Sequence, residues 1–123
     1  LELARYILAE DYVRARRGQA VLTSEVDAVL AGRRGLILPS MPVPATRLGV
    51  PTVMLNGVEE PVRNMTLRLT QLFNITGHPA ISIPCGTTRA GLPVGLQLVG
   101  RKGGTVRLLQ QALGVEARLA MLA

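Results

Sequence analysis

Residues 70–86 read TQLFNITGHPAISIPCG, and residues 91–100 read GLPVGLQLVG. The first stretch predicts a helix that ends at Gly77, because glycine readily adopts the left-handed conformation that closes helices. An apolar run over 80–83 follows and predicts a strand. In the second stretch, apolar and polar residues alternate over 94–99, which is typical of a strand facing two environments. These residues therefore predict a helix followed by two strands that a turn-rich connection joins.

The chain upstream of this unit predicts a helix and a strand. A helical pattern covers residues 2–17 and resumes over 21–30. Gly18 lies between the two parts and costs about 1 kcal/mol relative to Ala inside a helix, so we expect a kink or a break there. The apolar run at 36–38 ends at Pro39 and predicts a fully buried strand.

A segment rich in proline and glycine, residues 40–61, separates these elements from the unit described first. Its density of breakers predicts a long ordered arm without regular structure. Asn64 is the expected N-cap of the helix that ends at Gly77. A last amphipathic helix is predicted over 105–121. The fold class is thus α/β in a single unit, with a helical part (1–31), a strand and arm (32–63) and a helix–strand–strand–helix part (64–123).

Composition excludes several classes of protein. The chain has 123 residues, 48% of them hydrophobic, so it is long enough for one core and too apolar for a disordered protein. Its single Cys and single His exclude a disulfide scaffold and a zinc cluster, so we expect no metal and no cofactor. The net charge is +6, but the basic residues are scattered and the aromatic ones few, so we expect no nucleic-acid partner.

No targeting or membrane segment is evident in the sequence. Residues 1–20 contain charges that interrupt any signal-peptide core, and the longest uncharged stretch, 69–88, is broken by Gly and Pro. We therefore expect a soluble, cytoplasmic protein without membrane contact. The chain starts at Leu1 rather than Met, which is expected of a piece of something longer.

Three groups of residues could carry chemistry, and each also has a structural interpretation. Cys85 and His78 could form a thiol dyad, but a packed thiol is favoured because free Cys is usually buried. Residues 100–105 form a Gly-rich turn that could bind phosphate, but their spacing matches no phosphate motif, which favours an ordinary strand–helix connection. The three serines, Ser24, Ser40 and Ser82, lie in no nucleophile elbow, and Ser82 is expected to be a satisfied core hydroxyl.

Two motifs point to a family. They are N-x-x-G-x-P-A-x-S-x-P-C-G over residues 74–86 and G-L-P-x-G-L-Q over 91–97. Together they resemble the C-terminal segment of amidase signature enzymes, and the stretch LPSMPVPA at 38–45 agrees. The resemblance covers almost the whole chain. It implies part of the amidase signature fold, with strands of a mixed β-sheet flanked by helices and a Pro-rich arm. It also implies that the other strands of that sheet lie in an absent N-terminal half. We therefore expect the severed sheet to be ordered by pairing with other copies of the chain or by a swapped arm, residues 40–61.

The same resemblance implies hydrolysis of carboxamide C–N bonds by a serine, a second serine and a lysine in the family's N-terminal half. This chain has no Gly/Ser-rich signature, and its only lysine is Lys102, so we expect no catalytic residue and no activity of the chain alone. Its implied contribution is a pocket wall, with Thr70, Phe73 and Asn74 as substrate-binding residues. In the structural alternative, Phe73 belongs to the core and Asn74 caps local backbone.

The implied partners are a small-molecule amide, the missing N-terminal half and other copies of the chain in a homo-oligomer. The alternatives are a non-catalytic interaction module and a piece of the A subunit of an aminoacyl-tRNA amidotransferase. Those A subunits carry Asp where this chain has Leu67 and Pro where it has Leu72, which speaks against glutamine as the substrate.

Overall fold

The computed structural model describes residues 6–121, and these form an α/β structure. The predicted helical residues 2–5 lie outside the described part of the chain. The elements, in chain order, are α1 (Ala9–Leu30), β1 (Leu36–Pro39), β2 (Thr52–Leu55), β3 (Val58–Pro61), α2 (Val62–Leu67), α3 (Gln71–Thr76), β4 (Ala80–Thr87), β5 (Pro93–Val99) and α4 (Thr105–Ala120). The α/β class and the last helix are as predicted.

The main sheet has three strands in the order β1-β5-β4, and both of its pairings are antiparallel. β5 is central, so its side chains meet helices on both faces. On one face, Val99 packs with Phe73 of α3 and with Val26 and Leu30 of α1. On the other face, Leu98 packs with Leu108 and Ala112 of α4. The result is a helix–sheet–helix sandwich with its core centred on β5.

The first helix differs from the prediction at two points. It begins at Ala9 rather than at residue 2, since residues 6–8 are not α-helical. It also continues through Gly18 without a break. An ideal Cβ at Gly18 would meet no atom within 4 Å, so nothing packs there to bend the helix. Helix propagation on both sides outweighs the small cost of one glycine.

The strand predicted at 36–38 is present as β1, but the expectation that it is fully buried is wrong. Leu36 and Leu38 pack against the core on the α1 side. Ile37, which faces the other side, is 63% exposed. No helix covers that face of the sheet at β1 within the part of the chain that the structure describes.

The arm predicted over 40–61 contains regular structure after all. β2 and β3 form an antiparallel hairpin in which Leu55 pairs with Val58. Asn56 and Gly57 make the turn between them with φ values of 52° and 81°. Two successive residues with positive φ match the twist of a hairpin, and Asn-Gly is the preferred pair for it. The many prolines around this turn concealed its local signal.

The helix expected from Asn64 to Gly77 is two short helices, α2 and α3. Asn64 lies inside α2, and Pro61 occupies the N-cap position. Between the helices, the Leu69 carbonyl accepts a hydrogen bond from Gln97 Nε2 at 2.9 Å, while Phe73 N bonds the Thr70 carbonyl instead. A side chain from β5 thus takes the acceptor that a continuous helix needs. Gly77 ends α3 with φ 72°, as predicted.

β4 is longer than the strand predicted over 80–83, since it continues through Pro84 and Gly86 to Thr87. The register with β5 shifts between Pro84 and Gly86, so Cys85 sits in a β-bulge. A proline is tolerated here because β4 is an edge strand of the described sheet and needs its ladder bonds on one side only.

Candidate functional site

Two serine side chains meet above the central strand of the sheet. The Oγ atoms of Ser40, just after β1, and Ser82, on β4, are hydrogen-bonded to each other. Gly95 of β5 lies between them, and its carbonyl accepts a hydrogen bond from Ser40 N at 2.9 Å. An ideal Cβ on Gly95 would lie 2.7 Å and 2.8 Å from the two Oγ atoms. The serines can therefore meet only because position 95 has no side chain.

The serine pair differs from the expectation that Ser82 is a core hydroxyl, and neither serine is an activated nucleophile. Ser82 is hydrogen-bonded as expected, but it is exposed rather than a core hydroxyl. Within residues 6–121, no histidine or lysine nitrogen is hydrogen-bonded to either serine, so neither has a base to activate it. The two hydroxyls remain as hydrogen-bonding groups on an open part of the sheet.

Gln97 extends this polar region towards α3. It is paired with Ser82 in the β4–β5 register and is 4% exposed. Its Nε2 donates to the Leu69 carbonyl at 2.9 Å, which fixes the segment leading into α3 against the sheet. We call Ser40, Ser82, Gln97 and Thr70 the polar strip. Sequence reasoning did not assign Gln97 or the serine pair to a site, although a glycine within a strand signals close approach.

Of the three predicted substrate-binding residues, the structure places only Phe73 in the core. Phe73 is 5% exposed and packs with Val26, Leu30 and Val99. Thr70 is half-buried, and its Oγ1 lies 3.5 Å from the carbonyls of Thr66 and Leu67, at the limit of hydrogen bonding.

Asn74 is exposed, and its side chain has no hydrogen-bond partner among the described residues. The amide that caps α3 belongs to Gly77 and donates to the Phe73 carbonyl, so the side chain of Asn74 takes no part in this cap.

The thiol dyad does not form. The buried His78 ring contacts Thr76 Oγ1 through Nδ1 at 2.8 Å and Asp27 Oδ1 through Nε2 at 3.1 Å, so both ring nitrogens are occupied. Because a carboxylate oxygen only accepts, Nε2 is the ring nitrogen that donates the hydrogen bond to Asp27. Cys85 is half-buried rather than fully buried, and its thiol donates to the Val94 carbonyl at 3.5 Å. His78 thus links α1 to the start of β4.

The Gly-rich turn at 100–105 uses its backbone amides internally. Gly100 N donates to the Pro79 carbonyl and Gly104 N to the Arg101 carbonyl, each at 2.9 Å. The Arg101 guanidinium donates to the carbonyls of Leu30 and Arg33 at 3.1 Å and 3.2 Å. These bonds favour the ordinary strand–helix connection over a phosphate site.

The described residues hold neither a metal-binding cluster nor a membrane-spanning helix. No group of three or more His, Cys, Asp or Glu side chains among them could hold a metal ion. No helix in this part of the chain is long and apolar enough to cross a membrane.

Comparison with known proteins places the chain in a family. The model of the amidase family matches residues 1–109. The A subunit of glutamyl-tRNA(Gln) amidotransferase from Myxococcus xanthus (strain DK1622) is 35% identical over 106 residues, which are 85% of this chain and 21% of that protein. The chain therefore belongs to the amidase family, and it spans about a fifth of the length of this relative.

Solved structures agree with this assignment. A crystal structure described as an amidase is 33% identical and matches with a TM-score of 0.85 over 91% of this chain and 26% of its own. A 6-aminohexanoate cyclic dimer hydrolase complexed with substrate is 26% identical, with a TM-score of 0.75 over 94% of this chain and 25% of its own. The fold described above is therefore that of amidase signature enzymes over the part that the chain covers.

Proposed function

We propose that the chain is the C-terminal segment of an amidase signature hydrolase that cleaves carboxamide C–N bonds. Its family membership over residues 1–109 carries this proposal. The segment supplies a wall of the substrate pocket, and the serine, second serine and lysine of the reaction come from elsewhere in the enzyme. In support, no hydrogen bond among residues 6–121 joins a serine hydroxyl to a histidine or lysine nitrogen, and the Cys85 thiol is not paired with His78. The chain alone is therefore expected to be inactive.

The residues that we assign to this wall are Thr70, Phe73 and Asn74. Phe73 acts as a buried anchor that fixes α3 to the core beneath Val99. It holds the hydroxyl of Thr70 and the carboxamide of Asn74 at the two ends of one helical turn. A carboxamide side chain both donates and accepts hydrogen bonds, so Asn74 is matched to an amide substrate. The serine pair of the polar strip offers two more hydroxyls on the same side of the sheet.

The partners of the segment follow from the same proposal. The rest of an amidase chain supplies the catalytic groups, and a small amide is the substrate in the assembled enzyme. Without that partner, we expect copies of this chain to associate with one another. We place the assembled enzyme in the cytoplasm.

A second candidate is the A subunit of an amidotransferase, which the Myxococcus xanthus relative favours by its name. Leu67 separates the two candidates, since the resemblance to the amidotransferase proteins implies Asp at its position. An apolar side chain there cannot pair with the charged amino group of glutamine, which supports a simpler amide as the substrate.

The experiment is a graft into a working enzyme. This chain replaces the matching quarter of the amidase that is 33% identical, and ammonia release is measured with benzamide and propionamide. We expect the folded graft to be active and Asn74→Ala to lower kcat/KM about tenfold, since one substrate hydrogen bond is lost. Asn64→Ala is the matched control, because Asn64 is also exposed and helical.

Three outcomes contradict the proposal. The first is a graft that folds, as judged by its thermal unfolding, but releases no ammonia, because the segment then does not serve amide hydrolysis. The second is an equal effect of Asn74→Ala and Asn64→Ala on kcat/KM, which would show that Asn74 does not contact the substrate. Ammonia release by the isolated 123-residue chain that is lost on changing Ser24, Ser40 or Ser82 to Ala places the catalytic serine in this segment instead.

A further inference from the structure

The short helix α3 depends on other elements for its orientation. It has six residues, whereas an isolated helix in water needs more than about 12 residues to be stable. Phe73 anchors its middle in the core, and Gln97 holds the segment before it through the Leu69 carbonyl. A separate series of polar contacts holds its C-terminal end at Thr76.

These polar contacts join α3 to α1 through the imidazole of His78. Nδ1 of the ring lies 2.8 Å from the Thr76 hydroxyl, and Nε2 donates to Asp27 Oδ1 at 3.1 Å. Thr76 is 1% exposed, and the His78 side chain is completely buried. Asp27 lies on α1, and its side chain is 52% exposed. We call Asp27, His78 and Thr76 the histidine link.

The histidine link uses both polar atoms of the ring. A ring protonated at Nε2 alone has a lone pair at Nδ1 that accepts a hydrogen bond from the Thr76 hydroxyl. Hydrogen bonds depend strongly on distance and angle, whereas the apolar packing of Phe73 is not directional. A buried polar atom without a partner is also unfavourable, so a movement of α3 that breaks either contact is opposed. The link therefore fixes the rotation of α3 about its own axis.

The rotation of α3 determines where Asn74 points. Successive residues of an α-helix are about 100° apart, so Asn74 and Thr76 lie on nearly opposite sides of α3. The structure agrees, since Thr76 is buried and Asn74 is exposed. Side-chain tips lie about 5 Å from a helix axis, so a rotation of about 10° moves them by about 1 Å. A displacement of about 1 Å can cost about a hundredfold in rate where a reaction depends on how the substrate is positioned.

We propose that His78 is a positioning residue for amide hydrolysis. Held by Asp27 of α1, its ring fixes the C-terminal end of α3 and thereby directs the carboxamide of Asn74 towards the substrate. The proposal rests on the function proposed above, in which Asn74 bonds a small amide. His78 itself makes no contact with the substrate, because the ring is buried and protein groups occupy both of its nitrogens.

Asp27 is the position at which the link can be opened with little damage to the fold. Its side chain is half exposed, so its removal leaves no cavity in the core. Asp27→Ala removes the acceptor for Nε2, whereas Asp27→Asn keeps an oxygen that accepts the same bond. Gln111→Ala is the matched control, because it removes another link between elements, from Gln111 Nε2 on α4 to the Arg34 carbonyl at 3.2 Å.

The active graft measures the effect of the link on the reaction. We expect Asp27→Ala to lower kcat/KM with benzamide about tenfold, as Asn74→Ala does, because the misdirected carboxamide no longer bonds the substrate. In a graft that already carries Asn74→Ala, the further change Asp27→Ala should alter kcat/KM less than about twofold. Asp27→Asn and Gln111→Ala should each remain within about twofold of the unaltered graft.

Three results with the graft overturn the proposal. The first is an unchanged kcat/KM in Asp27→Ala. The second is an effect of Asp27→Ala that is the same with and without the Asn74 side chain, because the link then stabilises the fold without directing Asn74. The third is a loss in Asp27→Asn as large as that in Asp27→Ala, because the hydrogen bond to His78 is then not the cause.

Hydrogen–deuterium exchange of the 123-residue chain tests the link without the reaction. The amide of Gly77 donates to the Phe73 carbonyl at 2.9 Å and closes α3. It should exchange about tenfold faster in Asp27→Ala, and at an unchanged rate in Asp27→Asn and Gln111→Ala, because only the first variant frees this end of α3. Equal exchange in all variants overturns the proposal, whether or not the graft is active.

This proposal and the proposed function fail separately. An active graft that is sensitive to Asn74→Ala but not to Asp27→Ala retains the function and removes the role of His78. A folded graft that releases no ammonia removes the function and the positioning role with it, while faster exchange at Gly77 in Asp27→Ala would still show that the link holds α3.

Discussion

The helices α1 and α4 differ in how they use the sheet. α4 has 16 residues and stays on the sheet, with Leu108 and Ala112 buried and Val115 and Leu119 packed against the same cluster. α1 has 22 residues, and its buried residues are Val26 and Leu30, both in its last two turns. The longer helix therefore buries no more residues than the shorter one. Position over β5, rather than helix length, determines which segments are held in place.

The lengths of the elements explain this difference. At 1.5 Å per residue, α1 is about 33 Å long. The central strand has seven residues and is about 24 Å long. The first turns of α1 thus extend past the sheet, and Tyr12 and Val13 are 63% and 47% exposed. Apolar residues in such a position are typical of a surface that another part of a protein covers.

The largest expected effect compares the two ends of α1. Leu30→Ala, at a residue that is 1% exposed, should lower the free energy of unfolding by about 2–5 kcal/mol through lost burial and a cavity. Val21→Ala, at a residue that is 58% exposed, should change it by less than about 0.5 kcal/mol. Urea unfolding followed by circular dichroism measures both. Equal effects would mean that the two ends of α1 are equally packed.

A smaller effect is expected at the serine pair on the sheet. Gly95→Ala places a methyl group within 2.8 Å of both Oγ atoms and should destabilise the chain by about 1–3 kcal/mol. Combining it with Ser40→Ala and Ser82→Ala removes the two contacts below 3 Å, leaves only Ser40 Cβ at 3.1 Å, and should recover most of this loss. A double-mutant cycle in urea checks the coupling. If the changes in the free energy of unfolding are additive, the two hydroxyls do not restrict the size of the side chain at position 95.

Local signals in the sequence predict much of this fold. Gly77 marks the end of α3, and the amphipathic pattern after Gly104 gives α4 to within one residue. The Asn56–Gly57 turn is also locally encoded, although the prolines around it favour an arm without regular structure. Where the conformational preferences of a few neighbouring residues determine an element, the sequence alone is sufficient to predict it.

The remaining features depend on contacts between distant residues. The break between α2 and α3 lies where Gln97 donates a hydrogen bond to the Leu69 carbonyl. The helical periodicity of the sequence cannot predict that bond, because its two partners are far apart in the chain. The exposure of Ile37 depends on how many strands α4 can cover. The Ser40–Ser82 pair depends on the strand order β1-β5-β4, which places Gly95 between the two serines. The polar strip could therefore be recognised only in the folded chain.

Hydrogen–deuterium exchange of the isolated chain tests most directly whether its order is centred on β5. Amides of β5 near Leu98 and Val99, covered on both faces, should exchange slowest, at rates set by global unfolding. Amides in the first turns of α1, around Tyr12 and Val13, should exchange much faster through local opening. Equal protection of the two regions would contradict this account, because the first half of α1 would then be as firmly held as the centre of the sheet.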